Sequence, residues 1–313
     1  MNKSRVFFAL FLLSTFVIGC TVKTTQDEGS TTTPVVVSLT DGLDRSITLE
    51  LPAKRIVSLA PSNTELLFDV GAGSQVIGRD SFSNYPIEAG QVRDIGGSMG
   101  QYNYEDIAAL EPDLVLAAEI NTPEQVRSLE NLGLKVYYLS NPVDFDGLFD
   151  NIRTVGYLSG HDQESELLIG GLSARVADIE TKLAGVISRP TVYYELDATD
   201  PASPYTIGSS TFGDYLITKA GGNNIGASIG EGWVQVSSEE ILRINPDLIL
   251  LGDVYAGVTP ETVAARPGWE VLDAVVSGNV LPFNDDLMSR PTARLVAGLE
   301  TLTELIHPEV FNK

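Results

Sequence analysis

The sequence predicts an α/β protein of two Rossmann-like lobes joined by a single long α-helix. Three observations carry that expectation. Short apolar runs bounded by turn residues alternate with helical segments along most of the chain, the grammar of an open, mostly parallel sheet. One phrase occurs twice: Tyr104–Ala118 reads YEDIAALEPDLVLAA and Ser238–Gly252 reads SEEILRINPDLILLG. Between the two copies, 162–186 has apolar residues at helical spacing without a break. The phrases match at Glu105/Glu239, Ile107/Ile241, Pro112/Pro246, Asp113/Asp247, Leu114/Leu248 and Leu116/Leu250, at one constant offset and with no gap. A second pair, LLFDVGAGSQVIG ending at Gly78 and YLITKAGGNNIG ending at Gly226, keeps the same order. A duplicated lobe follows, since the period is far too long for a solenoid.

Taken in order, residues 1–20 read as a signal peptide. Lys3 and Arg5 precede the apolar run VFFALFLLSTFVI, which is too short to span a bilayer. The run ends in VIGC, which resembles a bacterial lipobox and implies that Cys20 is acylated and becomes the new N-terminus. Residues 21–34, polar and threonine-rich, read as a disordered tether. The N-terminal lobe is expected over 35–160. Val35–Leu49 alternates around a Thr40–Gly42 turn, a hairpin signal. Arg55–Ala60 is a buried strand entering a helix, with Ser62 and Glu65 at capping-box spacing and Gly71 as the stop. Strands follow at Val76–Asp80, Asp113–Ala118 and Lys135–Ser140, and helices at Tyr104–Leu110 and from Thr122-Pro123 to Gly133. The linking helix is placed at 161–188. Its core, Asp162–Val186, would be roughly 35 Å long at 1.5 Å per residue. Gly170 and Gly171 inside it cost about 1 kcal/mol each, which implies close packing there. The C-terminal lobe, 189–313, repeats the grammar: a strand at Thr191–Asp197, a helix opening at Ser210, a short helix at Ser238–Ile244, strands at Asp247–Leu251 and Asn279–Phe283, and a closing helix over Arg290–Ile306.

Composition excludes several classes of function. The chain has 313 residues, 43% of them hydrophobic, enough for one large core or two ordinary ones. Asp and Glu number 42 against 20 Lys and Arg, a net charge of −22. Such a surface repels phosphate backbones and anionic headgroups alike. Cys20 is the only cysteine, so internal disulfides and cysteine-rich metal sites are ruled out. There are two histidines, His161 and His307, and no GxSxG, HExxH or P-loop pattern, which leaves little for a secreted enzyme on a bilobal scaffold.

In order and spacing, RIVSLAPSNTELLFDVGAG, SNYP, YEDIAALEPDLVLA, AGGNNI, VSSEEILRINPDLILL and RPTARLVAGLETLTELIHPE resemble the ABC-importer substrate-binding proteins that carry cobalamin, haem or ferric siderophores. The resemblance covers nearly everything from Val35 onward and is strongest to the cobalamin-binding subfamily, through SNYP, Trp233 and NDDLMSRPTAR. It implies a helical-backbone periplasmic binding protein, lipid-anchored outside the cytoplasmic membrane, monomeric, and working with a permease dimer and its ATPase subunits. It implies no enzymatic activity, no metal, and no covalent group beyond the lipid on Cys20. It places Trp233 against the ligand and Asp286 and Arg290 at the cleft edge, reaching polar amides. Phe82 stands where the subfamily tends to have tyrosine, and Met99 where tryptophan is common. It also gives each lobe one glutamate, Glu105 and Glu239, for a transporter arginine, with Asp106 and Glu240 as the neighbouring carboxylates.

The residues support a large ligand independently. In open α/β sheets ligands bind beyond the carboxyl ends of the strands, and Phe82, Tyr85, Tyr102, Tyr205, Trp233 and Trp269 fall in such segments. Aromatic walls with a few polar anchors suit a rigid ligand with apolar faces and a polar rim. Haem, with Tyr85, Tyr102 or Tyr205 as axial ligand, and ferric siderophores remain the alternatives to cobalamin. For an anionic siderophore the basic candidates are Arg79, Arg93 and Arg290, with Asp80, Asp285 and Asp286 around them.

Overall fold

The structure, a computed structural model, describes residues 35–97 and 101–311. The expected signal peptide and tether, with Cys20, and Met99 lie outside these. The chain enters as an antiparallel hairpin, β1 (Val35–Thr40) and β2 (Ser46–Leu51). Alternation along β2 turns Ile47, Leu49 and Leu51 into the core. A first parallel sheet follows, from β3 (Ile56–Ser58), β4 (Val76–Arg79), β5 (Leu114–Ala118) and β6 (Val136–Leu139), in the order β4-β3-β5-β6. The connecting helices are α1 (Pro61–Asp69), α2 (Tyr104–Ala109) and α3 (Pro123–Asn131). Then come α4 (Phe145–Ser159) and the 22-residue α5 (Asp162–Leu183).

The second half has β7 (Thr191–Glu195), β8 (Tyr205–Ile207), α6 (Phe212–Lys219), β9 (Asn223–Asn224), β10 (Trp233–Gln235), α7 (Ser238–Ile244) and β11 (Leu248–Leu251). It ends with α8 (Pro260–Ala264), α9 (Asp273–Val276), β12 (Val280–Pro282), α10 (Asp286–Ser289) and α11 (Arg294–Ile306). Its parallel sheet runs β9-β7-β11-β12, matching the first strand for strand. β8 and β10 form a separate antiparallel ribbon that the sequence did not announce.

The duplicated phrase has a structural reason. The Asp113 carboxylate, at the start of β5, accepts the N–H groups of Lys54 (2.8 Å) and Arg55 (3.0 Å). The Asp247 carboxylate, at the start of β11, accepts the N–H and hydroxyl of Thr191, both at 2.7 Å. Each aspartate ties the start of its strand to the neighbouring central strand. Ile107 and Ile241, also shared, are fully buried.

The halves are not independent bodies hung on a rod. One apolar cluster, running from Ile47 to Ile306, draws on both, beside a further cluster within each half. Phe145 of α4 meets Phe212 and Tyr215 of α6 edge-on at 5.5 Å each. α5 is tied to α11 by a bidentate Arg175–Glu300 pair.

Several local expectations are corrected. α1 has no capping box: Pro61 occupies the first helical turn, Ala60 is the cap residue, and Glu65 turns into the interior instead. α6 is capped by Thr211 rather than opened by Ser210. The closing helix begins at Arg294, because Pro291 holds Arg290 in extended backbone and splits α10 from α11. Gly170 and Gly171 are exposed, and a Cβ on either would meet nothing within 4 Å, so close packing does not explain them. α4 was not foreseen, although Asp144 caps its start and the left-handed Gly160 ends it.

Candidate functional site

Parallel strands deliver their following loops to one edge of a sheet, and here the two such edges face one another. The groove between them holds a cavity of about 280 Å³, walled by Glu119, Asn141 and Val143 of the first half and by Thr211, Trp233 and Met288 of the second. It adjoins one of about 190 Å³, lined by Ala60, Pro61, Ala118, Ile120, Arg290 and Pro291.

Large apolar side chains crowd this edge without cover. Phe82 and Tyr85 follow β4 and are 50% and 43% exposed; Tyr205 and Trp233, on the β8–β10 ribbon, are 42% and 53% exposed. Ile120, Val143 and Tyr255, all well exposed, follow β5, β6 and β11. Sequence reading passed over these three, although position after a strand end, the rule that picked Phe82, applies to them equally. The Phe82 loop is tied down by Asp80, whose carboxylate accepts the Phe82 N–H and the Ser83 hydroxyl from a buried position.

Trp269 is not a cleft residue. It is fully buried, with Arg266 over its ring at 4.6 Å and its Nε1–H donated to Ser238. Tyr102 sits at the strand edge, but its hydroxyl is occupied: it donates to the Leu59 carbonyl (2.7 Å) and accepts from Asn121 Nδ2 (2.8 Å). Burial pushes its pKa up to about 12.

Asp286 and Arg290 lie in a charge cluster that crosses between the halves. At its centre is Glu65 of α1, fully buried. Its Oε1 accepts from Arg290 Nη1 and Arg294 Nη2, and its Oε2 from Arg294 Nε, all at 2.9 Å. Arg290 Nη1 also donates to Asn84 Oδ1 at 2.8 Å, and its Nε lies 2.9 Å from Asp286 Oδ1. The Arg294 guanidinium covers the Tyr85 ring at 4.3 Å. Asp69, one turn beyond Glu65, is raised to about 6 by burial and by the Glu65 charge. No short-range pattern announces Glu65, because its partners lie more than 200 residues away. The other basic candidates are also paired: Arg79 with Asp94 and Arg93 with Asp106.

Glu105 and Glu239 occupy equivalent positions, second in α2 after the cap Asn103 and second in α7 after the cap Ser237. Both are exposed. Neither makes an ion pair or side-chain hydrogen bond among the described residues, whereas Asp106 pairs with Arg93 and Glu240 with Arg243. Tyr102, just before α2, bonds Leu59 beyond the end of β3, while Arg55, just before β3, bonds the carbonyls of Leu110 and Glu111. α2 therefore starts at the groove edge of its sheet.

These features define a two-lobed α/β protein with an open groove between facing sheet edges. The chain belongs to the periplasmic binding protein family, whose model matches residues 56–287. It is 30% identical to an uncharacterised ABC transporter substrate-binding lipoprotein, YvrC, of Bacillus subtilis, across 100% of this chain and 99% of that one. A cobalamin-binding protein of Halobacterium salinarum is 29% identical across 85% of this chain and 73% of its own length. Among solved structures, the periplasmic haem-binding protein RhuT of Roseiflexus sp. superposes with a TM-score of 0.74 at 26% identity, across 82% of this chain and 99% of that one. The chain is thus a substrate-binding protein of the ABC-importer kind.

Proposed function

We propose that this protein is lipid-anchored through Cys20 outside the cytoplasmic membrane, captures a corrinoid of the cobalamin type, and delivers it to a permease dimer by docking through Glu105 and Glu239. The observation that carries the cargo assignment is the pair of uncovered apolar walls: Phe82, Tyr85, Ile120 and Val143 on one side, Tyr205, Trp233 and Tyr255 on the other. Large apolar side chains left exposed together mark a binding surface. Rings on both sides suit a ligand with broad, rigid, apolar faces. Such a ligand exceeds either cavity and lies across the mouth of the groove.

The charge pattern favours a ligand without net negative charge. Arg79, Arg93, Arg290 and Arg294 are each met by a named carboxylate, so an anionic ferric siderophore finds no unpaired cation among them. The cobalamin-binding relative supports the same choice. Haem is the second reading, favoured by the likeness to RhuT. It requires an axial donor, and the Tyr102 hydroxyl already has two partners, leaving Tyr85 or Tyr205.

Titration of the purified protein with cyanocobalamin, haemin and a ferric catecholate separates these readings. Quenching of Trp233 fluorescence by cyanocobalamin at sub-micromolar concentration is the expected result. A Soret shift with haemin and no response to cyanocobalamin refutes the corrinoid assignment.

A further inference from the structure

We infer that Glu65 is a specificity-determining residue: it neutralises Arg290 and Arg294 from beneath the groove and so excludes anionic cargo. The inference rests on the reading that the groove between the halves is the ligand site, and it goes beyond that reading by naming what sets the charge of acceptable ligands.

Two guanidinium groups beside an apolar cavity are, taken alone, a receptor for carboxylates, which arginine binds in bidentate, charge-assisted pairs. Arg290 lines the smaller cavity together with Ala60, Pro61, Ala118 and Ile120. Arg294 sits against the Tyr85 ring. Their carboxylate partner comes from within the protein. Glu65 has no solvent exposure, and both of its oxygens are held by these arginines at 2.9 Å. Asp286 meets the same two from the solvent side, at 2.9 Å to Arg290 Nε and 3.4 Å to Arg294 Nη2. Two positive charges therefore face two negative ones, with the buried Asp69 carboxyl of α1 beside Glu65 and Arg294, and the cluster presents no net positive charge to a ligand. The other carboxylates near this edge, Glu119, Asp197 and Asp285, add only negative potential. An incoming anion would have to displace a buried carboxylate that already satisfies the arginines, leaving that charge unpaired in the interior. A neutral ligand with amide oxygens meets no such barrier and can accept hydrogen bonds from the same guanidinium edges.

The inference is tested with haemin, which carries two carboxylates, and haemin dimethyl ester, which carries none. Both are titrated by absorbance into the purified full-length protein, as wild type and as Glu65→Gln. The amide keeps the shape of the side chain and removes its charge. The expected result is a gain of about tenfold in haemin affinity for the variant, equivalent to about 1.4 kcal/mol, with ester affinity within about twofold of wild type. Loss of a structural residue alone would move both ligands together. Asp286→Asn relieves the same arginines from the exposed side without uncovering a buried group. It is expected to shift the haemin-to-ester ratio in the same direction by a smaller factor, and it carries the test if the first variant does not fold. An unchanged ratio in the folded variants, or no haemin binding by any of them, overturns the inference. Failure of wild type to bind cyanocobalamin would instead sink the corrinoid assignment and leave this ratio as the measure of what Glu65 does.

Discussion

Replacing Arg294 with Met removes the bidentate partner of a buried carboxylate while keeping most of the side chain's apolar stem. Of the three nitrogen contacts to Glu65 at 2.9 Å, two come from Arg294. The variant leaves Glu65, with no solvent exposure, holding one donor. Breaking a buried pair from one side costs about 3–5 kcal/mol, because the remaining charge can neither be solvated nor paired. For a chain of this size each kcal/mol lowers Tm by about 2–4 °C, so a fall on the order of 10 °C is expected by calorimetry or circular dichroism. Arg175→Met is the matched control. It breaks a bidentate arginine–glutamate pair of the same chemistry, at 2.8 and 2.6 Å, whose side chains are 44% and 38% exposed. Exposed pairs contribute under about 1 kcal/mol. The reasoning is refuted if the two variants lose equal stability, since burial would then have no bearing on the cost.

Three further outcomes follow from the same structure. Gly170→Ala and Gly171→Ala, at exposed helical positions where a Cβ meets open space, are each expected to stabilise the protein by about 0.5–1 kcal/mol in denaturant titration; a loss would reinstate a packing role for the glycine pair. Asp69 holds its proton more tightly in the folded state, with its pKa raised to about 6 by burial and the Glu65 charge, so the native protein binds more protons than the unfolded chain between about pH 4 and pH 6. Stability should therefore fall as pH rises through that window, by about 2 kcal/mol, and Asp69→Asn should flatten the slope; equal slopes would contradict the assignment. Finally, the double variant Glu105→Lys/Glu239→Lys should abolish uptake in cells while leaving the ligand Kd of the purified protein within about twofold of wild type, and normal uptake would end the docking proposal.

What the sequence disclosed and what it hid divide along the range of the interactions. The strand at β5 was legible because all five of its residues are apolar and buried on both faces. α3 was legible because its cap is local, with Thr122 and Gln125 exchanging both bonds of a capping box. The same spacing at Ser62 and Glu65 misled, because Pro61 sets the start of α1 and the glutamate's partners arrive from the far end of the chain. The two tryptophans show the same limit. Trp233 lies on a ribbon open to the groove, whereas Trp269 packs against Tyr193 and Arg266 beneath the second sheet. Nothing within a few residues of either separates the two cases.

The repeated phrase can now be divided by physical cause. Its aspartate is explained within the fold: two sheets of the same strand order need the same tie, and Asp113 and Asp247 supply it to the neighbouring strand. Its isoleucine is explained by complete burial in each half. The glutamates have no such account. A negative charge in the first turn of α2 and α7 suits the helix dipole, but Asp106 and Glu240 already provide one, and these are the acids that pair with Arg93 and Arg243. Glu105 and Glu239 contact no opposite charge among the described residues, so folding does not demand their identity. An exposed carboxylate repeated at equivalent positions of two equivalent halves is what a two-fold symmetric partner would require, and the permease dimer proposed above has that symmetry.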